Sequence, residues 1–447
     1  MNIFIAGGGR VGFHLARLLS GERQDVTVIE SNPARLEEID YALDVRTVAG
    51  DGASVMLQQS LGVGAAELFV ASMGNDETNL IAAATAKGLG AKQVVARVDN
   101  PLYVESHILY ETILSIDYVL SPDALAALEV AHFIENPGTT ASEDFGRGLI
   151  HMRQIQVTKT PTRNGKTLKD VAPPGGGVLL GVINRGGKVF IPHGDAVIEV
   201  GDQVTLVGQR DKLSSVQQLF QDVDLGPRKV AIFGGSKIGL HLAQALEAKA
   251  KSVKIFERRP DRSNQLATKL KKTKVVCRDA VSRVSLEQEH IDGFDVVVAA
   301  TGDDERNILA CVLAKEVGAE QVVAVVHQPD FAQLVRRLDI DLAVTPRTAI
   351  ANRIVKLVHQ REVTSLAVIG EGQVEVVELT INDGASVLGK QLRDLKSKFP
   401  RGALVAAILR DKHVTVPGGD DELHAGDHVI LIAMAEAVQA AEKLFRK

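Results

Sequence analysis

The sequence predicts an α/β protein built from two copies of one two-part unit. Three observations point there. An apolar run ending in a glycine cluster occurs twice: residues 2–13 read NIFIAGGGRVGF and residues 229–240 read KVAIFGGSKIGL. The copies then stay in step, because Gly7 and Gly234 stand 227 residues apart and so do Glu30 and Glu257. Short apolar strands at 26–29, 45–48, 68–71 and 94–98 alternate with helical patterns, which is the βαβ signature of a parallel sheet.

The match continues into a second part. Residues 178–208 resemble residues 404–433, and both read strand, turn, strand, a turn with proline, a Gly-Asp turn and a further strand. The Gly-Asp pairs are Gly201-Asp202 and Gly426-Asp427. Such a part predicts a small α+β domain. The expected order is therefore a Rossmann-type, doubly wound parallel-sheet domain at 1–121, a small domain at 140–222, a second Rossmann-type domain at 228–345 and a second small domain at 364–447. Helical segments near 123–136 and 347–361 bridge the parts. A Pro/Gly loop at 173–177 lies inside the first small domain, and 222–227 links the copies. Length alone predicts about three domains; the repeat raises that to four.

Composition narrows the function classes. Of 447 residues, 45% are hydrophobic and 24% charged, as in ordinary globular proteins. The net charge of -5, the 4% aromatic content and the absence of Trp argue against a nucleic-acid partner. Cys277 and Cys311 are far apart and outside any CxxC pair, so neither a metal site nor a disulfide framework is expected. No apolar run approaches the roughly 18 residues of a membrane span. The first residues read as a strand rather than a leader, which predicts a cytoplasmic chain.

Gly7, Gly9 and Gly12 give GxGxxG spacing directly after a strand and at the start of a helix, where residues 14–19 have apolar spacing. The first glycine permits the turn, the second lets backbone approach a pyrophosphate, and the third packs helix on strand. The helix N-terminus adds free N–H groups and a positive dipole. Glu30 ends the second strand, 18 residues after Gly12, where an acid accepts from ribose hydroxyls. An acid there favours NAD or NADH over NADP. Asp51 follows the third strand and either meets the adenine amino group or caps the next helix. Asp76 and Asn79 read as turn or capping residues. Arg97, a charge inside an apolar strand, needs a partner, which a ligand phosphate or a carboxylate from another domain could supply.

The second copy departs from this pattern. Ser236 replaces the central glycine and Lys237 follows it; Glu257 is kept, but Arg258-Arg259 come next. Arg278-Asp279 replaces Gly50-Asp51, and Val325 replaces Arg97. A different nucleotide, weaker binding, or no ligand all fit these changes.

On GGGRVG with Glu30, GDGAS at 50–54, NDETN at 75–79, ARVDNP at 96–101, the Gly-Asp turns and the second-copy counterparts, the whole chain resembles the regulatory subunits of Trk-type potassium uptake systems. These are tandem proteins of the RCK (KTN) domain family. The resemblance implies a non-catalytic, cytoplasmic protein held at the inner membrane through a potassium-conducting partner. It implies a homo-oligomeric ring, commonly a tetramer, that responds to NAD(H) and to ATP or ADP. It implies ligand contacts at Gly7, Gly8, Gly9, Arg10, Val11, Glu30, Asp51, Asp76 and Arg97, and at Gly234, Gly235, Ser236, Lys237, Ile238, Glu257, Asp279 and Thr301.

The alternative is an NAD-dependent oxidoreductase. It would need an acid/base residue near the nicotinamide. His14 and His241 occupy equivalent positions after the glycine loops, and helix faces explain them as well as catalysis does. The small domains are too short and hairpin-rich for a substrate domain, so no catalytic or metal-binding residue is assigned.

Overall fold

The computed structural model describes residues 1–22, 24–159, 177–328, 331, 334–335, 337–362, 367–369, 373–395, 398–411 and 413–446. Most of the predicted loop at 173–177 lies outside them. The chain forms two compact units, one of residues 1–135 and 226–355, the other of residues 136–225 and 356–447.

The first unit carries two parallel sheets. One is built from β1 (Asn2–Ala6), β2 (Asp25–Glu30), β3 (Arg46–Ala49), β4 (Leu68–Ala71), β5 (Gln93–Arg97) and β6 (Tyr118–Leu120). Its helices are α1 (Arg10–Gly21), α2 (Pro33–Ala42), α3 (Val55–Ser60), α4 (Asp76–Leu89), α5 (Pro101–Glu105), α6 (His107–Leu114) and α7 (Pro122–Glu135). The strand order is β3-β2-β1-β4-β5-β6, all parallel. This is the doubly wound order whose reversal point opens a ligand crevice between β1 and β4. Every residue of β4 is buried, as expected of a strand covered on both faces.

The second sheet repeats the first. In sequence order its strands are β12 (Lys229–Phe233), β13 (Ser252–Phe256), β14 (Lys274–Val276), β15 (Val296–Ala299), β16 (Gln321–Val325) and β17 (Leu342–Val344), in the order β14-β13-β12-β15-β16-β17. The two antiparallel sheets belong to the second unit. They contain β7 (Thr139–Phe145), β8 (Ile150–Gln156), β9 (Val178–Arg185), β10 (Lys188–Phe190) and β11 (Gln203–Gln209), then β18 (Ala367–Ile369), β19 (Val374–Thr380), β20 (Ala403–Arg410), β21 (His413–Thr415) and β22 (His428–Met434). Their orders, β10-β9-β11-β8-β7 and β21-β20-β22-β19-β18, are the same order repeated. The remaining helices are α8 (Arg210–Phe220), α9 (Lys237–Leu246), α10 (Pro260–Lys269), α11 (Arg283–Gln288), α12 (Asp304–Glu316), α13 (Pro346–Glu362) and α14 (Val438–Arg446).

Like pairs with like. Helix α7 ends the first parallel-sheet half but packs Ala126, Ala127, Val130, Ala131 and Ile134 into the core of the second half, against Leu242 and Leu246 of α9 and Val230, Ile232 and Val298 of the sheet. The expected bridging helix thus joins the two parallel-sheet halves. In the second unit, Phe145, Ile150, Met152 and Val182 share one apolar cluster with Ile369, Val374, Val376 and Ile432.

The repeated Gly-Asp turn has a structural cause. Gly201 and Gly426 adopt φ of 93° and 83°, the left-handed region that glycine tolerates. Asp202 then accepts from Arg185 Nε and Nη2, both at 2.7 Å, and Asp427 accepts from Arg410 in the same way at the same distances. Each aspartate is 1% exposed. Each also accepts a backbone N–H, from Glu199 at 2.8 Å or His424 at 2.9 Å. Burial pushes the Asp427 carboxyl up, but the Arg410 and His424 hydrogen bonds outweigh it and hold the group below the usual carboxylate range. Asp427→Ala is expected to destabilise its domain by about 1.5–3 kcal/mol at pH 7. Because the folded value is depressed, that stability is present above the unfolded value and lost as pH falls through the folded one. Thermal melts of wild type and variant should therefore converge as pH drops below about 4. A gap undiminished at acid pH would contradict this account.

Candidate functional site

A crevice of about 390 Å³ opens at the carboxyl ends of β1, β2, β3 and β4. It gathers Gly7, Gly9, Glu30, Asp51 and Arg97 from separate loops. Gly7 has φ of 102°, and a Cβ there would meet the Met73 backbone at 2.8 Å. At Gly12 a Cβ would meet the Gly7 carbonyl oxygen at 1.9 Å, so the third glycine does serve close packing. Gly9 precedes α1 with no side-chain cap, which leaves the first N–H groups of that helix facing a prospective anion.

Glu30 is 6% exposed and has a structural task as well. Its Oε2 accepts from Gly8 N at 2.7 Å and its Oε1 from Asn32 N at 2.8 Å. These bonds tie the glycine loop to the end of β2. Ser31 Oγ also donates to Oε1, at 3.4 Å. An ionised carboxylate has about four lone-pair sites, so about one remains for a ribose hydroxyl. Asp51 accepts from Ala53 N at 2.9 Å, forming a local turn, while Ser54 caps α3. Asp51 still lines the crevice.

The structure places the other expected residues differently. Gly8 N binds Glu30, and a Cβ at Gly8 would meet Ile39 at 2.4 Å, so this glycine is a packing requirement. Asp76 does not line the crevice. Its carboxylate accepts from Asp99 N at 3.0 Å and Asn100 N at 2.7 Å, holding the loop after β5. Asn75 is the cap of α4. Asn79 is buried and joins two strand ends through Met73 N and Arg97 O. The second copy repeats this device: Asp304 accepts from His327 N at 2.9 Å, and Asn307 bonds Thr301 N and Val325 O.

A second crevice, of about 370 Å³, lies at the equivalent place in the second half. It gathers Gly234, Gly235, Ser236, Glu257, Asp279 and Thr301, together with Arg258, Arg259, Arg278 and Arg306. Glu257 again holds the glycine loop, through Gly235 N at 3.0 Å. Ser236 is the cap of α9, accepting from Gly239 N at 3.2 Å. A serine just before a helix is a common cap, a signal the sequence already carried. Ile238 is buried and does not line the crevice. Asp279 accepts from Val281 N at 2.9 Å and pairs with Arg306.

A third cavity, of about 340 Å³, lies between the two parallel-sheet halves. Arg10, Val11, Arg97, Asp99, Pro122 and Asp123 come from the first half; Lys237, His327, Pro346 and Arg347 come from the second. Arg10, Val11 and Lys237 therefore face the other half rather than their own crevice. Arg97 lines this cavity and the first crevice alike. Its partner is Asp99 of its own half, not a carboxylate of another domain. Arg97 Nε has no partner among the described residues. Lys237 Nζ donates to the Asp99 carbonyl at 2.7 Å, so Asp99 joins the two cations.

The charges around this cavity are unequal. At the start of α7, Asp123 faces Lys237, His241 and His327; burial and Asp99 nevertheless push its carboxyl up. At the equivalent start of α13, Arg347 faces Arg10 and Arg17, and burial with these like charges disfavours its charged form. His14 is held below its ordinary value by burial, with Arg17 and Arg347 adding to the effect. Neither His14 nor His241 lines any of these three cavities. Sequence reasoning missed Arg306 and Arg347, because neither stands in a glycine motif.

The comparisons agree with this architecture. A family model described as the TrkA-N domain matches residues 3–122 and 230–346, and one described as the TrkA-C domain matches residues 152–221 and 376–446. A Trk system potassium uptake protein TrkA homolog of Archaeoglobus fulgidus is 34% identical, with all of both chains covered. The Trk system potassium uptake protein TrkA of Halomonas elongata is 31% identical, covering all of this chain and 99% of that one. Among solved structures, the GsuK RCK domain aligns with a TM-score of 0.61 at 19% identity, over 99% of this chain and 94% of that one. The GsuK channel bound to NAD aligns with the same TM-score at 18% identity, over 99% and 78%. These two share the fold. The relatives are potassium uptake proteins by name, so the oxidoreductase alternative falls away. With both domain models matched twice and full-length relatives above 30% identity, the chain belongs to the TrkA family of potassium uptake proteins.

Proposed function

We propose that the chain is a nucleotide-sensing subunit that gates a potassium-conducting membrane partner, with NAD(H) and ATP or ADP as its ligands. The observation that carries this reading is Arg97, which lines both the first crevice and the cavity between the halves. A ligand shifts a conformational equilibrium only through different affinity for the two states. A nucleotide whose last phosphate reaches past Arg97 would meet Arg10 of its own half and Lys237 and Arg347 of the other. Those four cations face only Asp99 and Asp123 among acids lining the cavity. Added negative charge would relieve their repulsion and draw the halves together. A ligand ending short of Arg97 would not.

Several further observations support the reading. A relative by fold, the GsuK channel, has a solved structure bound to NAD. Among the described residues no helix is long and apolar enough to cross a membrane, so attachment to the inner membrane from the cytoplasm would run through the partner. Leu102, Ile108, Leu109 and Ile113 expose apolar surface on α5 and α6, and Ile81 and Leu309 do so at equivalent positions of the two halves. Such surface supports self-association into a tetrameric ring.

Two outcomes test the proposal. Calorimetric titration of the purified chain with NADH should show affinity reduced about 10- to 100-fold at the first crevice by Glu30→Ala, from loss of charged hydrogen bonds. Unchanged binding would remove Glu30 from the ligand contacts. Arg97→Ala should leave NADH affinity within about threefold while abolishing the nucleotide-dependent change in potassium flux, measured with the partner in vesicles. A normal nucleotide response in that variant would sink the coupling role of Arg97.

A further inference from the structure

The two crevices differ most where the second strand of each sheet ends. In the first, Glu30 is followed by Ser31 and Asn32, and Asn32 Oδ1 caps α2 by accepting from Ala34 N at 3.0 Å and Arg35 N at 3.4 Å. In the second, Glu257 is followed by Arg258 and Arg259. Arg259 occupies the cap position of α10 and supplies no side-chain acceptor. The positive end of α10 therefore lies beside two guanidiniums. Arg278, at the end of β14, lines the same crevice where the first copy has Gly50.

The acid in this crevice is itself offset. Glu257 Oε1 accepts from Arg259 N at 2.9 Å and Arg259 Nε at 3.3 Å, while Oε2 is bonded to Gly235 N. Its charge is answered by its own neighbours rather than presented to a ribose. The other lining charges are largely engaged: Arg306 pairs with Asp279, and Arg278 Nη1 donates to Gln288 at 2.7 Å. Arg258 is exposed and lines the crevice; its charge acts on Asp279, which is itself hydrogen-bonded by Arg306. The first crevice has only Arg35 and Arg97 among its lining cations, balanced by Glu30 and Asp51.

In doubly wound sheets, an acid at this strand end binds the ribose 2′-hydroxyl, and a nearby arginine takes a 2′-phosphate instead. We infer that the second crevice selects a nicotinamide adenine dinucleotide phosphorylated at the adenosine 2′ position, with Arg258 as its phosphate-binding residue and Arg259 and Arg278 beside it. The first crevice keeps the unphosphorylated dinucleotide. This rests on the second crevice being a nucleotide site.

The 5′-phosphates of any adenine nucleotide would sit at Gly234–Ser236 and the start of α9, away from Arg258. That separation lets small probes isolate the inference. The full chain is titrated calorimetrically with NADH, NADPH, 5′-ADP and adenosine 2′,5′-bisphosphate. At one site per chain, NADPH should bind at least about tenfold more tightly than NADH, and the 2′,5′-bisphosphate more tightly than 5′-ADP. Arg258→Ala should remove that preference without changing NADH binding at the first crevice, and Arg258→Lys should restore part of it. Arg258 is exposed, and Asp279 keeps its hydrogen bonds to Arg306 and Val281 N without it, so an unchanged thermal melt is expected of both variants. NADPH binding no tighter than NADH, or a preference that survives Arg258→Ala, overturns the inference. If NADH fills two sites per chain with no preference anywhere, selectivity alone fails. If NADH and NADPH added together fill no more than one site per chain, the nucleotide reading of the second crevice fails with it.

Discussion

A parallel sheet is apolar on both faces and needs a layer of helix on each. In this protein one of those layers is borrowed. Helix α7 follows the last strand of the first half, yet its apolar side chains complete the core of the second half. The second parallel-sheet half is therefore not a finished domain without the first. The alignment of α7 on α9 fixes where Lys237 sits relative to Asp99, and with it the cavity between the halves. Lys249 to Glu135, at 2.7 Å, ties the far end of the same helix. Any motion that a ligand induces must act through this packing, because sliding α7 would expose the core it covers.

Duplication would by itself place identical groups around the pseudo-symmetric cavity. The sequence has diverged at the positions that matter: Arg97 corresponds to Val325, Asp99 to His327, and Asp123 to Arg347. One end of the cavity therefore brings opposite charges together, and the other brings like charges together. Coulomb interactions at such partly buried distances are worth several times their value in water. Arg97 belongs to the attractive end, through Asp99. It lines the first crevice as well, whereas no described residue lines both this cavity and the second crevice, which makes the two crevices unequal partners.

Much of the fold was legible. The 227-residue offset, the strand alternation and the glycine loops specify two doubly wound sheets, and the strand ends fall within two residues of their expected places. The pairing of like with like was not legible. Apolar spacing in residues 123–136 says that one face of a helix is buried, but not which sheet buries it. The site was legible where the backbone itself is the signal. Gly7, Gly9 and Glu30 meet in one crevice because turn geometry and strand ends put them there. It was less legible where a polar side chain had two uses. Asp76 belongs to a recognisable motif, yet its carboxylate holds the Asp99 and Asn100 amides; the residue before a helix, here Asn75, is the better capping candidate. Arg97 was read as needing a partner, and it has one only two residues away.

The acids at the ends of β2 and β13 have two uses of the same kind. Glu30 and Glu257 each hold a glycine loop by accepting a backbone N–H. That structural task suffices to explain why both copies carry the acid, so the acid alone does not distinguish a ribose contact from a loop anchor. The distinction lies in the residue two positions further along the chain. Asn32 leaves the Glu30 charge unanswered by any side-chain cation in contact with it among the described residues, whereas Arg259 lies against Glu257. The same carboxylate can thus keep one loop in place in both halves while presenting full charge to the crevice in one and an offset charge in the other. Selectivity can then diverge between the copies without disturbing the loop that both need.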